Sequence, residues 1–199
     1  MQEFLSTLGR TKMIPRSGWI SHGVSLPDVE SIADHSFSTT LLAMLMADIE
    51  IQHNNSVTIE RVLRMALLHD LSETLTFDIS KEYLTYLGKR GKAIKDELDQ
   101  SAWKRILATI KEPEIGAKYA DSQHEFDDEQ SIESRIVHDA DHLDILLQVT
   151  AYAKRGYPTS LLASLWDSTL TELRGSKLES TKQLLRMILS IRRKQNNGT

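Results

Sequence analysis

Apolar residues recur along this chain at the three- and four-residue spacing of amphipathic helices, and no run of alternating β-branched residues indicates a strand. Short polar segments and segments with Pro or Gly separate the apolar stretches. The pattern predicts helices over 2–12, 31–51, 58–72, 81–91, 92–110, 132–155, 159–173 and 176–194. The acidic segment 120–131 is predicted to be a loop. The sequence therefore indicates an all-α fold.

Length and composition narrow the classes of protein that this sequence can encode. The chain has 199 residues, of which 40% are hydrophobic and 26% are charged, as in ordinary globular proteins. We therefore expect a single domain over residues 1–199, with its core in 8–173 and a closing helix over 176–194. The net charge of −4 argues against a protein that binds the backbone of a nucleic-acid polymer.

Cysteine and long apolar runs are both missing from the sequence. Without cysteine there are no disulfides or thiolate metal sites, so any metal ion must be held by histidine and carboxylate side chains. No stretch of about 18 apolar residues is present, so we expect no membrane span. The amino terminus lacks the apolar core of a signal peptide, and a cytoplasmic protein is the default expectation.

The stretch MALLHDLSE, from Met65 to Glu73, places ionisable side chains at the end of a strongly apolar predicted helix. A carboxylate in apolar surroundings is costly unless it is paired or bound to a metal ion. Because adjacent helical residues point about 100° apart, His69 and Asp70 share one ion only at the rim of the helix. Glu73 lies on the same side, one turn further on, where it is placed to move protons.

Two further candidate ligands come from other predicted helices. His35 begins an apolar stripe that we expect to face inward with Leu42, Leu45 and Ile49, and Asp141 lies beside the apolar stripe of 132–155. Two imidazoles and two carboxylates suit Mn, Fe, Co, Ni or Zn, whereas Mg²⁺ prefers oxygen ligands. Such a set leaves one or two positions for water and substrate, and the cation makes the water a usable nucleophile.

The order of these residues resembles that of the HD-domain metal-dependent phosphohydrolases, and most closely the subgroup that includes 5′-deoxynucleotidases. The matching segments run from residue 14 to residue 144, about two thirds of the chain. They are IPRSGW (14–19), SIADHS (31–36), ALLHDLSE (66–73), DI (78–79) and DADHLD (139–144). A lone His-Asp pair is a weak signal, but five segments in the family's order are a specific one.

The resemblance implies a helical HD domain in which one divalent metal ion is held by four side chains, those of His35, His69, Asp70 and Asp141. It also implies hydrolysis of a deoxyribonucleoside 5′-monophosphate to deoxynucleoside and phosphate by a metal-activated water. The implied partners are this nucleotide and a second copy of the chain in a homodimer.

Four further residues match positions that act on the substrate in this family. Glu73 occupies the position of the catalytic glutamate, and Asp78 that of a catalytic residue which reads the sugar near its 3′ side. Arg16 and Trp19 match the residues that orient the phosphate and the substrate. Arginine suits this task because its planar guanidinium fits phosphate oxygens.

Some features of the chain depart from the family pattern. Phe77 stands where members usually have glycine, and two residues separate Arg16 from Trp19, which are adjacent in the bacterial enzyme. The acidic segment Glu125–Asp127 matches a substrate-contacting region only loosely. Two alternatives stay open at this point. One is an HD hydrolase of nucleoside triphosphates or guanosine tetraphosphate, and the other is a metal-binding nucleotide sensor without catalysis.

Overall fold

The computed structural model describes residues 2–196, so the first residue and the last three of the predicted domain lie outside it. The described residues form helices and no strand, which confirms the predicted all-α class. The helices are α1 (Gln2–Thr11), α2 (Ser17–Ser21), α3 (Ile32–Gln52), α4 (Ile59–Leu68), α5 (Glu73–Thr76), α6 (Lys81–Thr85), α7 (Arg90–Leu107), α8 (Pro113–Asp128), α9 (Ile132–Lys154), α10 (Ala163–Arg174) and α11 (Glu179–Asn196). In this part of the chain, no helix is both long and apolar enough to cross a bilayer.

The described residues divide into two compact units. The first unit contains those of 1–37 and 67–124, and the second contains those of 38–66 and 125–199. In the first unit, α5 packs against α1 and α7, and α6 packs against α7. In the second unit, α9 packs against α10 and α11.

The first unit has an apolar core where α5 and α7 meet. It is built from four buried residues, Leu68, Leu71, Trp103 and Ile106, with four half-buried neighbours, Phe4, Leu75, Leu107 and Tyr119. The start of α7 approaches α6 closely, because a Cβ added at Gly91 would overlap the carbonyl oxygen of Leu84. Only glycine permits this approach, which fixes α7 and the polar side chains that it carries.

The predicted helix over 58–72 is wrong at its carboxyl end. Helix α4 ends at Leu68, and residues 69–72 form tight turns before α5 begins at Glu73. The N–H of Leu71 donates to the carbonyl oxygen of Leu68, and the N–H of Glu73 donates to that of Asp70. These i to i+3 bonds are tighter than α-helical ones, so periodicity over the segment does not reveal the break.

The predicted loop over 120–131 is also wrong, because α8 extends from Pro113 to Asp128. Proline at the first helical position loses no hydrogen bond, since that N–H has no intrahelical acceptor. The segment is polar because most of its side chains are exposed. The acidic and polar composition of 120–131 resembles that of a loop, which is why the sequence analysis missed this surface helix.

The inward stripe predicted for α3 is partly wrong. His35 is fully buried as expected, but Leu45 is 46% exposed, and the buried positions beyond His35 are Thr39, Ala43, Met46, Ala47 and Glu50. Apolar residues occur on more than one face of this helix. A search for the apolar face alone therefore does not select the buried one.

Three carboxylates, of which those of Glu50 and Glu133 are buried, bind donors near helix starts in the second unit. Glu50 accepts hydrogen bonds from the backbone N–H and the hydroxyl of Ser180, the second residue of α11. Glu133 accepts from the N–H of Thr58, just before α4. Asp139 accepts from the hydroxyl of Thr181 at 2.5 Å. Each carboxylate satisfies a donor at or near a helix start, which makes these acids structural.

Candidate metal centre and substrate site

Three of the four predicted metal ligands come together in the first unit. The Nε2 atoms of His35 and His69 lie 3.3 Å apart. Asp70 Oδ2 lies 3.6 Å from Nε2 of His35 and 3.3 Å from Nε2 of His69. Ligand atoms that each lie about 2.0–2.2 Å from one cation are separated by distances of this size. Two imidazole nitrogens and one carboxylate oxygen therefore form a cluster that fits a divalent metal ion.

Local backbone structure orients the two histidines. His35 lies one turn into α3, which begins with a capping box: Asp34 Oδ2 accepts the N–H of Ser31, and Ser31 Oγ accepts the N–H of Asp34. His69 and Asp70 follow the last residue of α4. From this turn, Nε2 of His69 and Oδ2 of Asp70 come within 3.3 Å of each other.

Arg16 forms an ion pair with the same carboxylate. Its Nη1 lies 2.5 Å from Asp70 Oδ2, and both side chains are mostly buried. Burial alone would raise the pKa of Asp70, but the charges of His69 and Arg16 outweigh it and hold the pKa well below its usual range. Asp70 is therefore ionised at neutral pH, as a metal ligand must be.

Glu73 is 6% exposed and lies near a second cation. Its Oε1 is 3.8 Å from Nζ of Lys95, whereas its Oε2 is buried and has no hydrogen-bond partner among the described residues. Burial raises the pKa of Glu73 well above its usual range, and the charges of Asp70 and Asp78 add to the effect. A buried carboxyl with one uncommitted oxygen suits proton transfer.

Asp78 makes a contact that the sequence did not indicate. Its Oδ2 accepts the backbone N–H of Ser17 at 2.5 Å, and Ser17 Oγ accepts the N–H of Ser80. Burial raises the pKa of Asp78, partly offset by the charge of Arg16. Because Ser17 follows Arg16 directly, this carboxylate holds in place the segment that carries the guanidinium. Its predicted role in reading the sugar stays a prediction.

Trp19 lies inside the protein. It is 2% exposed, and its indole N–H donates a hydrogen bond of 2.8 Å to Glu30 Oε1. The short helix α2 places it there, in a part of the chain where the sequence pattern predicted no helix. In this conformation the indole ring supports the segment that carries Arg16. Its predicted contact with the substrate stays a prediction.

Phe77, the residue that departs from the family pattern, has an unusual backbone. Its φ of 62° and ψ of 157° lie in a region populated almost only by glycine. The side chain is 58% exposed. Phe77 follows α5, which begins at Glu73, and directly precedes Asp78. The strained backbone therefore lies between two candidate site residues along the chain.

The fourth predicted ligand, Asp141, belongs to the second unit. It lies near the middle of α9, between Asp139, which binds two hydroxyl groups near the start of α11, and His142, which pairs with Glu172. Glu125, of the acidic segment matched loosely to the family, accepts two bonds from Arg61. The metal-binding role of Asp141 stays a prediction.

Sequence reasoning missed Lys95. Its ammonium lies 2.7 Å from Asp99 Oδ2 and 3.8 Å from Glu73 Oε1. Lys95 and Asp99 are four residues apart on α7, a spacing that pairs side chains on one face of a helix. That spacing is visible in the sequence, but its proximity to Glu73 depends on how α5 packs against α7.

The family profile described as HD domain matches residues 8–177 of the chain. The chain belongs to the HD domain family. This membership confirms the resemblance based on five short segments. Proteins of this family that hydrolyse phosphate esters depend on a divalent metal ion. The cluster of His35, His69 and Asp70 is consistent with that requirement.

Curated relatives share most of the chain's length. The 5′-deoxynucleotidase HDDC2 of Dictyostelium discoideum is 31% identical over 172 residues, which cover 84% of this chain and 86% of the relative. The human 5′-deoxynucleotidase HDDC2 is 26% identical over 84% of this chain and 75% of its own length.

Solved structures share the HD-domain fold. A conserved hypothetical protein from Pyrococcus furiosus is 28% identical, with a TM-score of 0.76 over 97% of this chain and 99% of that chain. An HD-domain phosphohydrolase from Listeria innocua is 20% identical, with a TM-score of 0.79 over 95% of this chain and 87% of that chain. At 20% identity, the second comparison bears on the fold alone.

Proposed function

We propose that this HD-domain protein is a metal-dependent 5′-deoxynucleotidase, which hydrolyses deoxyribonucleoside 5′-monophosphates to deoxynucleoside and phosphate. The observation that carries the proposal is the cluster of His35 Nε2, His69 Nε2 and Asp70 Oδ2, with Glu73 three residues further along the chain. The names of the curated relatives support the choice of substrate.

The donor set is compatible with a divalent ion of the first transition row. Two imidazoles with carboxylates favour Mn, Fe, Co, Ni or Zn, and Mg²⁺ fits the set less well. With Asp141 as the fourth ligand, which the family resemblance implies, the set would consist of two nitrogen and two carboxylate ligands. When bound, such an ion activates water and neutralises the charge of the phosphate.

The protein's own side chains have distinct tasks in this proposal. Arg16 supplies a planar set of donors for the phosphate oxygens, and its pairing with Asp70 keeps it oriented before the substrate arrives. Phosphoryl transfer depends mainly on such positioning and on charge stabilisation. Asp78 holds the backbone next to Arg16, so the substrate-binding arginine does not have to be ordered during the reaction.

In this proposal Glu73 is the group that transfers a proton. Its Oε2 is the carboxylate oxygen without a partner among the described residues, and it is buried away from bulk water. The group is placed to accept a proton from the attacking water or to donate one to the departing 5′ oxygen. Both transfers require the same carboxyl oxygen to remain uncommitted until substrate is bound.

A phosphate-release screen on purified protein tests the proposed function. The protein is loaded separately with Mn²⁺, Co²⁺, Ni²⁺ and Mg²⁺ and given four substrate classes: deoxyribonucleoside and ribonucleoside 5′-monophosphates, nucleoside triphosphates and guanosine tetraphosphate. We expect the fastest release from the deoxyribonucleoside monophosphates. Faster turnover of triphosphates or tetraphosphate would support the other hydrolase class, and nucleotide binding without turnover would support a sensor.

The homodimer implied by the resemblance is part of the same proposal. On α3, Leu41, Met44 and Leu45 point to one side of the helix and are 47%, 39% and 46% exposed. Exposed apolar surface of this kind is a common site of protein association. We expect the native chain to elute as a dimer in light-scattering chromatography, and Leu41→Glu with Leu45→Glu to shift it to monomer. The cytoplasmic location expected from the sequence stays a prediction.

A further inference from the structure

We propose that Lys95, held by Asp99, is a positioning residue that anchors one oxygen of the Glu73 carboxylate and leaves the other free for proton transfer. The inference rests on the proposed function, because it assigns a task within that reaction. It concerns two side chains of α7 that lie outside the five segments matched to the family.

The first step is that the two carboxylate oxygens of Glu73 have different surroundings. Oε1 lies 3.8 Å from Nζ of Lys95, and Oε2 has no hydrogen-bond partner among the described residues. A carboxylate held at neither oxygen would rotate about its terminal torsion, which is broad in side chains. An ammonium beside one oxygen favours the orientations in which the other oxygen points away from it.

The second step is the fixing of Lys95 itself. A lysine side chain is long and flexible, and ordering it costs conformational entropy. Asp99 Oδ2 accepts a hydrogen bond of 2.7 Å from Nζ, and the two residues are one helical turn apart. Lys95 is 26% exposed and Asp99 is 28% exposed, so the pair lies at the edge of the site.

The third step is the placement of α7. Close approach of Gly91 to Leu84 fixes the amino-terminal end of this helix, one turn before Lys95. Helix α5, which begins at Glu73, packs directly against α7. The separation between Lys95 and Glu73 is thus set by packed backbone elements, which are stiff compared with a surface ion pair.

Burial alone would lower the pKa of Lys95, but Asp99 and Glu73 outweigh it, and the pKa of the amine is raised. The ammonium therefore keeps its charge beside Glu73. This agrees with the geometry, in which the Lys95 ammonium lies near the carboxylates of both Asp99 and Glu73.

A double-mutant cycle tests the inference. We expect Lys95→Met to lower kcat about 10- to 100-fold, to leave KM within about threefold and to leave metal content unchanged, because it misplaces the proton-transfer group. In the Glu73→Gln background, the same substitution is expected to change kcat less than about twofold. Lys92→Met, at an exposed lysine of the same helix, is the matched control and is expected to match wild type.

Two conservative variants separate positioning from folding. Lys95→Arg is expected to recover about tenfold of the lost kcat, since it keeps a cation near Oε1. Asp99→Asn keeps the lysine but loosens it, and we expect a loss of about three- to tenfold in kcat, with Asp96→Asn as its exposed control. If Lys95→Met fails to fold, Asp99→Asn carries the test alone.

Three outcomes would overturn the inference. An unchanged kcat in Lys95→Met would remove Lys95 from the reaction. An equal loss of kcat in the Glu73→Gln background, or a rise in KM alone, would mean that Lys95 acts directly on the substrate phosphate. A lower melting temperature with normal kcat would make the lysine merely structural.

Thermal unfolding of the metal-free protein provides a readout that does not depend on turnover. We expect Lys95→Met to lower the melting temperature by a few degrees, because it leaves Glu73 buried without its cation. In the Glu73→Gln background this loss is expected to shrink to the part that comes from the lost Lys95–Asp99 pair. If wild type hydrolyses no phosphate ester but the thermal coupling is present, the proposed function fails while the Lys95–Glu73 pair stands. An absent thermal coupling would count against the pair itself.

Discussion

The Nε2 atoms of His35 and His69 lie 3.3 Å apart, although 34 residues separate them in the sequence. His35 lies near the start of α3, and His69 lies in the turn that follows α4. Two neutral imidazoles at this distance can share one N–H···N hydrogen bond, but Asp70 Oδ2, within 3.6 Å of both nitrogens, adds the third ligand atom of a metal site. The pairing is the structural basis for treating this cluster as a metal centre.

Glu73→Gln is expected to lower kcat by about 10²- to 10⁴-fold while leaving metal content unchanged, because it removes a proton-transfer group and no proposed ligand. Initial rates with a deoxyribonucleoside monophosphate and metal analysis of the same sample measure both effects. Glu97→Gln, an exposed position on α7, is the control. A kcat within a factor of about three of wild type would reject a role for Glu73 in proton transfer.

Arg16→Ala is expected to lower kcat/KM about 100-fold or more, because it removes the donors for the phosphate and leaves the mostly buried Asp70 without its cation. Arg16→Lys keeps the charge but not the planar fork, so we expect only partial recovery. Steady-state kinetics across a substrate series measures this. Equal kinetics for the alanine and lysine variants would mean that the fork geometry has no part in phosphate binding.

Asp141→Asn is expected to weaken metal binding at least tenfold if this residue is the fourth ligand, since an amide oxygen is a poorer ligand than a carboxylate. His142→Ala, at the next position on α9, removes a side chain that pairs with Glu172 and is expected to leave affinity unchanged. Equilibrium dialysis with Mn²⁺ measures both. Wild-type affinity in Asp141→Asn would exclude that residue from the ligand set.

Phe77→Gly is expected to stabilise the protein by about 1 kcal/mol, which for a chain of this size corresponds to about 2–4 °C in melting temperature. Relief of the strained backbone, worth about 1–3 kcal/mol, exceeds the entropic cost of adding a glycine, about 0.5–1 kcal/mol. Phe77→Ala removes the ring but keeps the Cβ, and is therefore the control. If both variants melt at the same temperature, the backbone at this position is not strained in solution.

The sequence names His35, His69 and Asp70 as candidate ligands, and the structure brings their side chains together, while their binding of a metal ion stays a prediction. An apolar helix that ends in His-Asp is difficult to explain without a bound cation, and an inward histidine 34 residues earlier completes the pattern. This inference needs only the chemistry of the residues and their order. It does not need the helix end at Leu68, which the sequence pattern misplaced.

The remaining parts of the site depend on packing that periodicity does not encode. Asp78 binds the backbone of Ser17, 61 residues away, and Lys95 approaches Glu73 because α7 packs against α5. Neither contact can be recognised from the sequence pattern around the residues that make it. The burial of Trp19 has the same origin, since a short helix and a hydrogen bond to Glu30 determine where the indole lies.

The fold was predictable at the level of class but not of every element. The predicted helix over 132–155 agrees with α9, from Ile132 to Lys154, to within one residue. The polar α8 and the buried face of α3 were not recovered, because the first has few apolar residues and the second has too many. A helix that is mostly polar, or apolar on several faces, does not reveal its buried side in the sequence pattern.

Titration of the metal-free protein with Co²⁺, followed by its visible absorption, tests the central claim that His35, His69 and Asp70 hold a metal ion. We expect wild type to bind one ion per chain. We expect His69→Ala and Asp70→Ala to lose this binding, and His138→Ala to retain it as the control. Wild-type stoichiometry and affinity in His69→Ala and Asp70→Ala, or a wild-type protein that takes up no Co²⁺, would contradict the account.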